Sequence, residues 1–266
     1  TYTSGYNSIV KVDSDTVALA YRSSGSGTIK TFDIDSDGNI TLADSLKHTT
    51  SGSFYHSLVQ VDSDTFALAY VDSIVSGKIS IATVDIDSDG DITAVKTQSE
   101  GSNSNLYWGS GYNSLVQVNS DTFALAYTGA WEDGYISTFT ISSDGQTITE
   151  VDTVEHDGRN ATFNSLVQVD SDTFALAYKG SGANGGELGG YISTFDIDSD
   201  GNITKVMTQT EMNNLKYSGD ANGVESWGKS FVKMDSDTFA LGHGGAYSGG
   251  HITTFNISSN GQAITK

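Results

Sequence analysis

Three stretches of the sequence place aspartates at every second position and end in a glycine, a pattern suited to holding a cation. Carboxylate oxygens spaced in this way can surround a hard ion such as Ca²⁺, and the glycine permits the sharp turn that this requires. An Asp-Gly or Asn-Gly turn also closes a tight β-hairpin without any ion, and both interpretations are open. The candidate metal ligands are Asp33, Asp35, Asp37, Asp85, Asp87, Asp89, Asp196, Asp198 and Asp200.

Two further copies of this turn keep the hairpin and lose most of the carboxylates, which favours the interpretation as a turn. The same three positions are occupied there by Thr140, Ser142 and Asp144, and by Asn256, Ser258 and Asn260. The intact copies resemble the calcium loops of EF-hands and of integrin-type β-propellers, and this resemblance implies calcium as a weakly bound, stabilising cofactor. Integrin-type loops carry a further aspartate at position 9. The three intact copies in this chain have a threonine at that position: Thr41, Thr93 and Thr204.

Large aromatic residues near Asn, Asp and Gly form a second group that could bind a ligand. Their rings can stack on the apolar C–H faces of a sugar while neighbouring amides bind its hydroxyls. This pattern favours a carbohydrate-binding surface, and the alternative is that the rings only fill gaps between structural units. The candidate ligand-binding residues are Tyr55, Tyr107, Trp108, Trp131 and Trp227.

Catalytic residues are harder to identify. A glycosidase needs at least two carboxylic acids around the scissile bond, and the acids outside the turns fall in loops with no readable pairing. The chain has no cysteine, and its five histidines lack the spacing of metal ligands. The sequence therefore predicts a protein that is not an enzyme. The acids concerned are Glu132, Asp133, Glu155, Asp157, Glu187, Glu211 and Glu225.

All these residues are carried by a repeat. The segment Val-Asp-Ser-Asp-Thr-Phe-Ala-Leu-Ala-Tyr occurs five times with small changes, and its copies start 49, 57, 51 and 65 residues apart. Self-similarity at a period of about 50 residues indicates a repeat architecture. The copies start from Asp13, Asp62, Asn119, Asp170 and Asp235.

Each repeat is predicted to form four short strands. In the second strand of the second copy, Phe66, Leu68 and Tyr70 share one face while Ala67 and Ala69 share the other. Because both faces are apolar, each sheet needs a neighbour on both sides, and large groups can fill the shallow alanine face of the next sheet. This predicts an all-β fold, a five-bladed β-propeller with four antiparallel strands per blade.

The five units are predicted to form one domain over residues 1–266. Each unit begins near a serine that either caps backbone groups of the innermost strand or belongs to a polar ring at the mouth of the central channel. Blade five would be completed where the two termini meet, and the alternative is that the natural chain continues past Lys266. The serines are Ser8, Ser57, Ser114, Ser165 and Ser230.

The formal charge of −20 limits the possible partners. Such a negative field repels the phosphates of nucleic acids and anionic lipid surfaces, so neither is expected as a partner. No segment has the roughly 20 apolar residues that a membrane helix requires, so membrane insertion is not expected. The chain is predicted to be extracellular or displayed at the cell surface.

These observations favour a secreted or cell-surface binding propeller that recognises carbohydrate through several equivalent clefts and is stabilised by calcium. Its near-identical repeats resemble the five-bladed tachylectin-type lectins in architecture, and that resemblance implies multivalent sugar binding. The first alternative is a structural subunit of an extracellular assembly, with self-assembly as its main interaction. The second alternative is a glycoside hydrolase.

Overall fold

The computed structural model describes residues 7–50, 52–72, 78–99, 112–159, 161–180, 189–210, 231–244 and 250–266. They form five sheets of four antiparallel strands, which confirms the predicted all-β fold and the five-bladed propeller. No helix in these residues is long and apolar enough to cross a membrane. A 3₁₀ helix at Ala130–Glu132 interrupts the strands in the third unit.

Each sheet is one blade, and its strands follow one another in sequence order. Blade 1 contains β1 (Ser8–Lys11), β2 (Thr16–Ser23), β3 (Ser26–Ile34) and β4 (Ile40–Thr49). Blade 2 contains β5 (Ser53–Gln60), β6 (Thr65–Asp72), β7 (Lys78–Ile86) and β8 (Ile92–Ser99). Blade 3 contains β9 (Asn113–Gln117), β10 (Thr122–Thr128), β11 (Gly134–Ile141) and β12 (Ile148–Asp157). Blade 4 contains β13 (Thr162–Gln168), β14 (Thr173–Gly180), β15 (Gly189–Ile197) and β16 (Ile203–Thr210). Blade 5 contains β17 (Phe231–Lys233), β18 (Thr238–Gly244), β19 (Gly250–Ile257) and β20 (Ile264–Thr265).

The core lies between successive blades and follows the large and small faces of the repeat. Phe66 and Leu68 of blade 2 pack against Ala18 and Ala20 of blade 1, and all four side chains are fully buried. The same contact joins blades 2 and 3, blades 3 and 4, and blades 4 and 5. The alanine face therefore receives the bulky face of the following blade, and the large and small apolar side chains pack closely.

Side-chain hydrogen bonds repeat at the same four contacts. Ser57 Oγ accepts the backbone N–H of Leu115 in the next blade at 3.0 Å, and Ser8, Ser114 and Ser165 make the equivalent bond. Thr83 Oγ1 donates to the carbonyl of Gly145 at 2.8 Å, again across two blades. The serines at the starts of these units therefore cap the innermost strand of the neighbouring blade. Ser230 lies outside the described residues.

The contact between blade 5 and blade 1 is unlike the other four. Ile252 of blade 5 is 80% exposed, whereas its equivalents Ile29, Ile81, Ile136 and Ile192 are fully buried. Ile40 of blade 1 is 67% exposed, whereas its equivalents Ile92, Ile148, Ile203 and Ile264 are at most 8% exposed. In the described residues, the alanine face of blade 5 and the bulky face of blade 1 therefore leave their large side chains open to solvent.

Candidate active site

Three acids that do not belong to the repeat meet at one end of blade 3. Asp133 directly precedes β11, whose first residues Gly134 and Tyr135 pair with Asp157 and Glu155 of β12. Tertiary structure thus brings together acids that sequence reasoning left unpaired. We call Asp133, Glu155 and Asp157 the acidic cluster. It lies at the end of the sheet where strands two and three connect, opposite the Asp-rich turns.

A β-bulge shapes the strand that carries two of these acids. The register shifts between Gly134 and Tyr135, so His156 is the extra residue between Glu155 and Asp157. The imidazole of His156 occupies the space that a side chain on Gly134 would need. A Cβ on Gly134 would lie only 2.3 Å from the ring. Bulges of this kind re-aim neighbouring side chains and are frequent beside active sites.

Blade 1 has the same bulge without the acids. There the register shifts between Gly27 and Thr28, and His48 is the extra residue, flanked by Lys47 and Thr49. A Cβ on Gly27 would also meet the imidazole at 2.3 Å. The bulge therefore occurs with and without neighbouring acids, and the carboxyl groups beside it are particular to blade 3. Comparing the two copies in the sequence would have revealed this difference.

The loop before the cluster exposes a tryptophan. Trp131 is 77% exposed and has φ 60°, and Glu132 follows with φ 66°. Two successive side-chain-bearing residues in the left-handed region are strained, and such strain is concentrated at functional sites. The carbonyl of Glu132 accepts the N–H of Ala161 at 2.7 Å, which ties the loop to the segment that enters blade 4.

Burial and mutual repulsion change the acidity of the cluster. Partial burial raises the pKa of Asp133, the charges of Glu155 and Asp157 raise it further, and Arg159 lowers it. The pKa of Tyr135 is raised by burial and then by Glu155 and Asp133. The cluster thus places Asp133, a partly buried carboxyl group whose pKa is raised, beside the exposed side chain of Glu155, and acid–base pairs are built from carboxyl groups in such different environments.

Asp157 is the most deeply buried of the three acids, at 2% exposure. Its carboxylate accepts the backbone N–H of Arg159 at 3.0 Å. A Cβ on Gly180 of blade 4 would come within 2.4 Å of Asp157 Oδ2, so the missing side chain makes room for the carboxylate. Lys205 of blade 4 donates to the carbonyl of His156 at 2.8 Å, and it is drawn to Asp157 and Glu155 by charge.

The predicted ligand-binding aromatics are not gathered at one place. Trp131 is exposed beside the acidic cluster, whereas Tyr55 is only 4% exposed and its ring packs 4.4 Å from that of Tyr112. The ring of Tyr112 in turn lies 4.0 Å from that of Phe163, so these aromatics form a packed row across blades 2, 3 and 4. Their roles in ligand binding stay predictions. The remaining candidates lie outside the described residues: Tyr107, Trp108 and Trp227.

Two of the three aspartates in each set predicted to bind calcium accept hydrogen bonds within the fold. The first of each set accepts from a threonine hydroxyl across the sheet, as Asp85 does from Thr65 at 2.9 Å. The second accepts backbone N–H groups of its own turn, as Asp87 does from Asp89 and Asp91 at 3.0 Å. The other two sets follow this pattern, with Asp33, Asp35, Asp37 and Asp196, Asp198, Asp200.

Calcium binding by these turns stays a prediction. In the described part of the chain, no three metal-binding side chains come together as a metal site. Asp44, the one acid at the position where an EF-hand has its bidentate ligand, instead accepts the N–H of Ile92 in blade 2 at 2.9 Å. The unrepeated acids Glu187, Glu211 and Glu225 lie outside the described residues.

Comparisons with known proteins support the fold. No protein-family model and no curated protein matches the chain. A candidate 6-phosphogluconolactonase from Bacteroides uniformis has 13% identity and a TM-score of 0.66, over 97% of this chain and 68% of that one. A second from Bacteroides fragilis has 12% identity and a TM-score of 0.52, over 97% and 81%. A GH43 β-1,3-galactosidase with galactodeoxynojirimycin has 8% identity and a TM-score of 0.52, over 97% and 92%.

These comparisons correct the prediction of a non-enzymatic lectin. The three structures reported above are described as lactonases or a glycosidase, and they favour the alternative of a glycoside hydrolase over a binding propeller. The prediction failed because the acids that could form a catalytic set are distant in sequence and meet only through the bulge and the loop of blade 3. At identities of 8 to 13%, the similarity shows the fold alone: the chain has the β-propeller fold that these enzymes share.

Proposed function

We propose that this chain is a carbohydrate-active hydrolase, with glycoside hydrolysis at the acidic cluster as its reaction. The observation that carries the proposal is the meeting of Asp133, Glu155 and Asp157 at one end of blade 3, where partial burial and the two neighbouring acids raise the pKa of Asp133. Glycosidases use one carboxylic acid that keeps its proton and one that is ionised, set apart by their environments. Asp133 is the general acid in this assignment, and Glu155 is the general base.

The reaction consumes one water molecule. Asp133 donates its proton to the leaving glycosidic oxygen as the C–O bond breaks, and Glu155 removes a proton from the water that attacks the sugar carbon. The products are a free sugar and an alcohol, and the two carboxyl groups then exchange protons with solvent to recover their starting forms. Asp157 does not reach the reacting atoms in this assignment, and its charge helps to keep the proton on Asp133.

The charge of the site favours an uncharged sugar. The three carboxyl groups of the cluster lie near two cationic side chains, Arg159 and Lys205, and the whole chain carries a charge of −20. A sugar phosphate would be repelled by this field. Trp131, exposed at the edge of the cluster, supplies a ring on which the apolar face of a sugar can stack.

The test is hydrolysis of a panel of neutral aryl glycosides by the wild-type chain and three variants. Asp133→Asn and Glu155→Gln are each expected to lower kcat about 10²- to 10⁴-fold, the usual contribution of one acid–base group. Trp131→Ala is expected to raise KM mainly, because stacking acts on the bound sugar. The control is Asp64→Asn, which should keep wild-type rates. Asp64 lies in the turn between β5 and β6 of blade 2, at the opposite end of the sheet from the connection of strands two and three. Unchanged rates in Asp133→Asn and Glu155→Gln would disprove the assignment.

A second candidate is hydrolysis of an uncharged sugar lactone, which the similarity to candidate lactonases favours. Glu155 would again activate the attacking water. Attack of this water on the lactone carbonyl does not require a proton from Asp133. An aldonolactone supplied beside the aryl glycosides separates the two. Lactone hydrolysis that depends on Glu155 and not on Asp133 would identify a lactonase.

We also propose that calcium stabilises the fold through the Asp-rich turns, with the weak affinity typical of extracellular modules. At 10 mM calcium, a site with a Kd of about 1 mM adds about 1.4 kcal/mol to the free energy of unfolding. Thermal unfolding with calcium, magnesium or EDTA measures this effect. The triple variant Asp37→Asn, Asp89→Asn, Asp200→Asn should lose the increase in Tm with calcium. Equal Tm values in calcium and EDTA would exclude such sites. They would also remove the support that calcium binding gives to the proposed extracellular location.

A further inference from the structure

A lysine of blade 4 reaches the β-bulge that carries two of the acids in blade 3. Lys205, on β16, donates from its ammonium group to the carbonyl of His156 at 2.8 Å. His156 is the extra residue of the bulge, and Glu155 and Asp157 lie directly before and after it. The lysine therefore holds the backbone at the residue that separates two members of the acidic cluster.

The outer strands of blades 3 and 4 are joined at a point that directs this lysine. The backbone N–H of Ile203, the first residue of β16, donates to the carboxylate of Asp152 in β12 at 2.9 Å. Lys205 is two residues beyond Ile203, so both side chains lie on the same face of the strand. His156 is four residues beyond Asp152 in β12. The bond at Asp152 thus brings the carbonyl of His156 within reach of the lysine.

The boundary between blades 1 and 2 has the same arrangement with a different side chain. There Ile92 donates to Asp44 at 2.9 Å, and the bulge residue His48 again lies four positions beyond the aspartate. The residue two positions beyond Ile92 is Ala94, whose methyl group offers no donor to the carbonyl of the bulge. A bulge therefore forms without a facing lysine, and Lys205 is not required to form one.

The lysine occurs where acids flank the bulge. Glu155 and Asp157 flank the bulge of blade 3, whereas Lys47 and Thr49 flank that of blade 1. Burial lowers the pKa of Lys205, and the charges of Asp157 and Glu155 oppose this by raising it. Of the two bulges compared, the one with acids thus faces a cation, and the one without acids faces an alanine.

The two cations at the site act on different acids. Arg159 lowers the pKa of Asp133, whereas Lys205 interacts with Asp157 and Glu155. The remaining titratable side chains around them come from the loop before β11, from β11, from β12, from β14 and from β15, and they are Asp133, Tyr135, His156, Tyr178 and Tyr191. Balancing the charge of Glu155 and Asp157 therefore depends on a residue of the next blade.

We propose that Lys205 is the positioning residue of the acidic cluster, holding the bulge at His156 and keeping Glu155 available as the ionised partner of Asp133. Lys205 does not touch the reacting atoms in this assignment, because it acts through the backbone and the charge of its neighbours. Its consequence for catalysis rests on the proposed hydrolysis. Its link to the two acids is independent of any substrate and can be measured without one.

NMR of the lysine side chains measures this link directly, with the signal of Lys205 assigned from its absence in Lys205→Met. The pKa of Lys205 is expected to fall in Glu155→Gln and in Asp157→Asn, because each change removes a charge that raises it. Glu155 is exposed, so Glu155→Gln tests the link even if the buried Asp157 tolerates no change. Asp64→Asn is the control and should leave the titration unchanged. A titration of Lys205 that is the same in Glu155→Gln as in the wild type would overturn the inference.

Rates on the neutral aryl glycosides measure the positioning. Lys205→Met keeps most of the apolar stem and removes the charge and the donor, and we expect kcat to fall about 10- to 100-fold with little change in KM. The acid side of the pH–rate profile should move to higher pH, because the ammonium group no longer opposes protonation of the two acids. Lys205→Arg, which keeps the charge, should restore most of the wild-type profile. Ala94→Lys, at the equivalent position of blade 2, is the control and should leave rates and profile unchanged.

The outcomes separate this inference from the proposed reaction. A lower rate in Lys205→Met with an unmoved pH–rate profile would mean that the lysine only supports the fold, and it would overturn the inference. A protein that hydrolyses none of the glycosides, but in which the titration of Lys205 depends on Glu155, would overturn the proposed reaction and leave the link between the lysine and the acids intact.

Discussion

Lowering the pH from 7 to 4 is expected to remove about 6 kcal/mol from the free energy of unfolding, about 3 kcal/mol for each of two buried histidines. Burial lowers the pKa of His48 to about 3, with a contribution from His56, and burial lowers the pKa of His156 to about 3. Each imidazole packs edge-on against a tyrosine of the next blade, Tyr70 or Tyr178, with ring centroids 4.6 Å apart. Within the described residues, neither ring nitrogen of His48 has a hydrogen-bond partner, and Asn164 beside His156 offsets only part of the effect of burial on the pKa of that histidine.

The direction follows from the two protonation states. Above pH 6.5, both histidines are neutral in the folded and the unfolded chain, so their burial carries no proton-linked penalty. Below 6.5, the unfolded chain binds protons that the folded chain rejects until the pH nears 3, and stability is lost across this interval. Hydrogen bonds also lower the pKa of five aspartates, and their contribution to stability is lost mainly as the pH falls through and below their ordinary value of 3.8, so it adds little at pH 4: Asp13, Asp35, Asp44, Asp144 and Asp198.

Urea unfolding followed by tryptophan fluorescence at several pH values measures this loss. The double variant His48→Gln, His156→Gln should be less stable at pH 7, because it loses the ring contacts, but nearly independent of pH between 6.5 and 4. His251→Gln, at an exposed position in β19, is the control and should keep the wild-type pH dependence. A double variant that loses stability with pH as steeply as the wild type would show that other groups cause the effect.

Replacing one isoleucine by alanine is expected to have opposite consequences at two equivalent positions. Ile192→Ala should cost about 2 to 5 kcal/mol, because the side chain is fully buried between blades 4 and 5 and its removal leaves a cavity. Ile252→Ala should change the free energy of unfolding by less than about 0.5 kcal/mol at low protein concentration, because the side chain is 80% exposed.

The pair is a sharp test because the repeat makes each variant the control of the other. Both residues occupy the same position of the third strand, pairing with Ala177 in one blade and with Gly242 in the other. Urea unfolding at a few micromolar protein measures both changes. Equal losses at the two positions would mean that Ile252 is packed like Ile192, and they would contradict its exposure in the structure.

The sequence by itself determined the blade and the way in which blades stack. Alternation of Phe66, Leu68 and Tyr70 with Ala67 and Ala69 is a local pattern of period two, so it specifies a strand and both of its faces without further information. Turn residues act equally locally: Gly38 has φ 81°, which glycine adopts without strain, and Asp35 accepts the N–H groups of its own turn. Five copies of such a unit were sufficient to predict the number of blades.

Only the tertiary structure decided which acids meet. Asp133 lies in the loop before β11, and Asp157 is the last residue of β12. Their spacing in the sequence does not distinguish them from the other unrepeated acids. Their proximity depends on the register of β11 and β12, on the bulge at His156, and on Gly180 of another blade making room for the carboxylate. These are contacts between distant segments, which a pattern along one strand does not encode.

The open contact between blades 5 and 1 likewise follows from the assembled structure. The repeat predicts the same contact at every boundary between blades, and four of the five are held by bonds such as that of Thr83 with Gly145. Only the structure shows that Ile252 of blade 5 and Ile40 of blade 1, in contrast to their equivalents, are exposed. A pattern that is nearly the same in every unit cannot by itself distinguish one boundary from another.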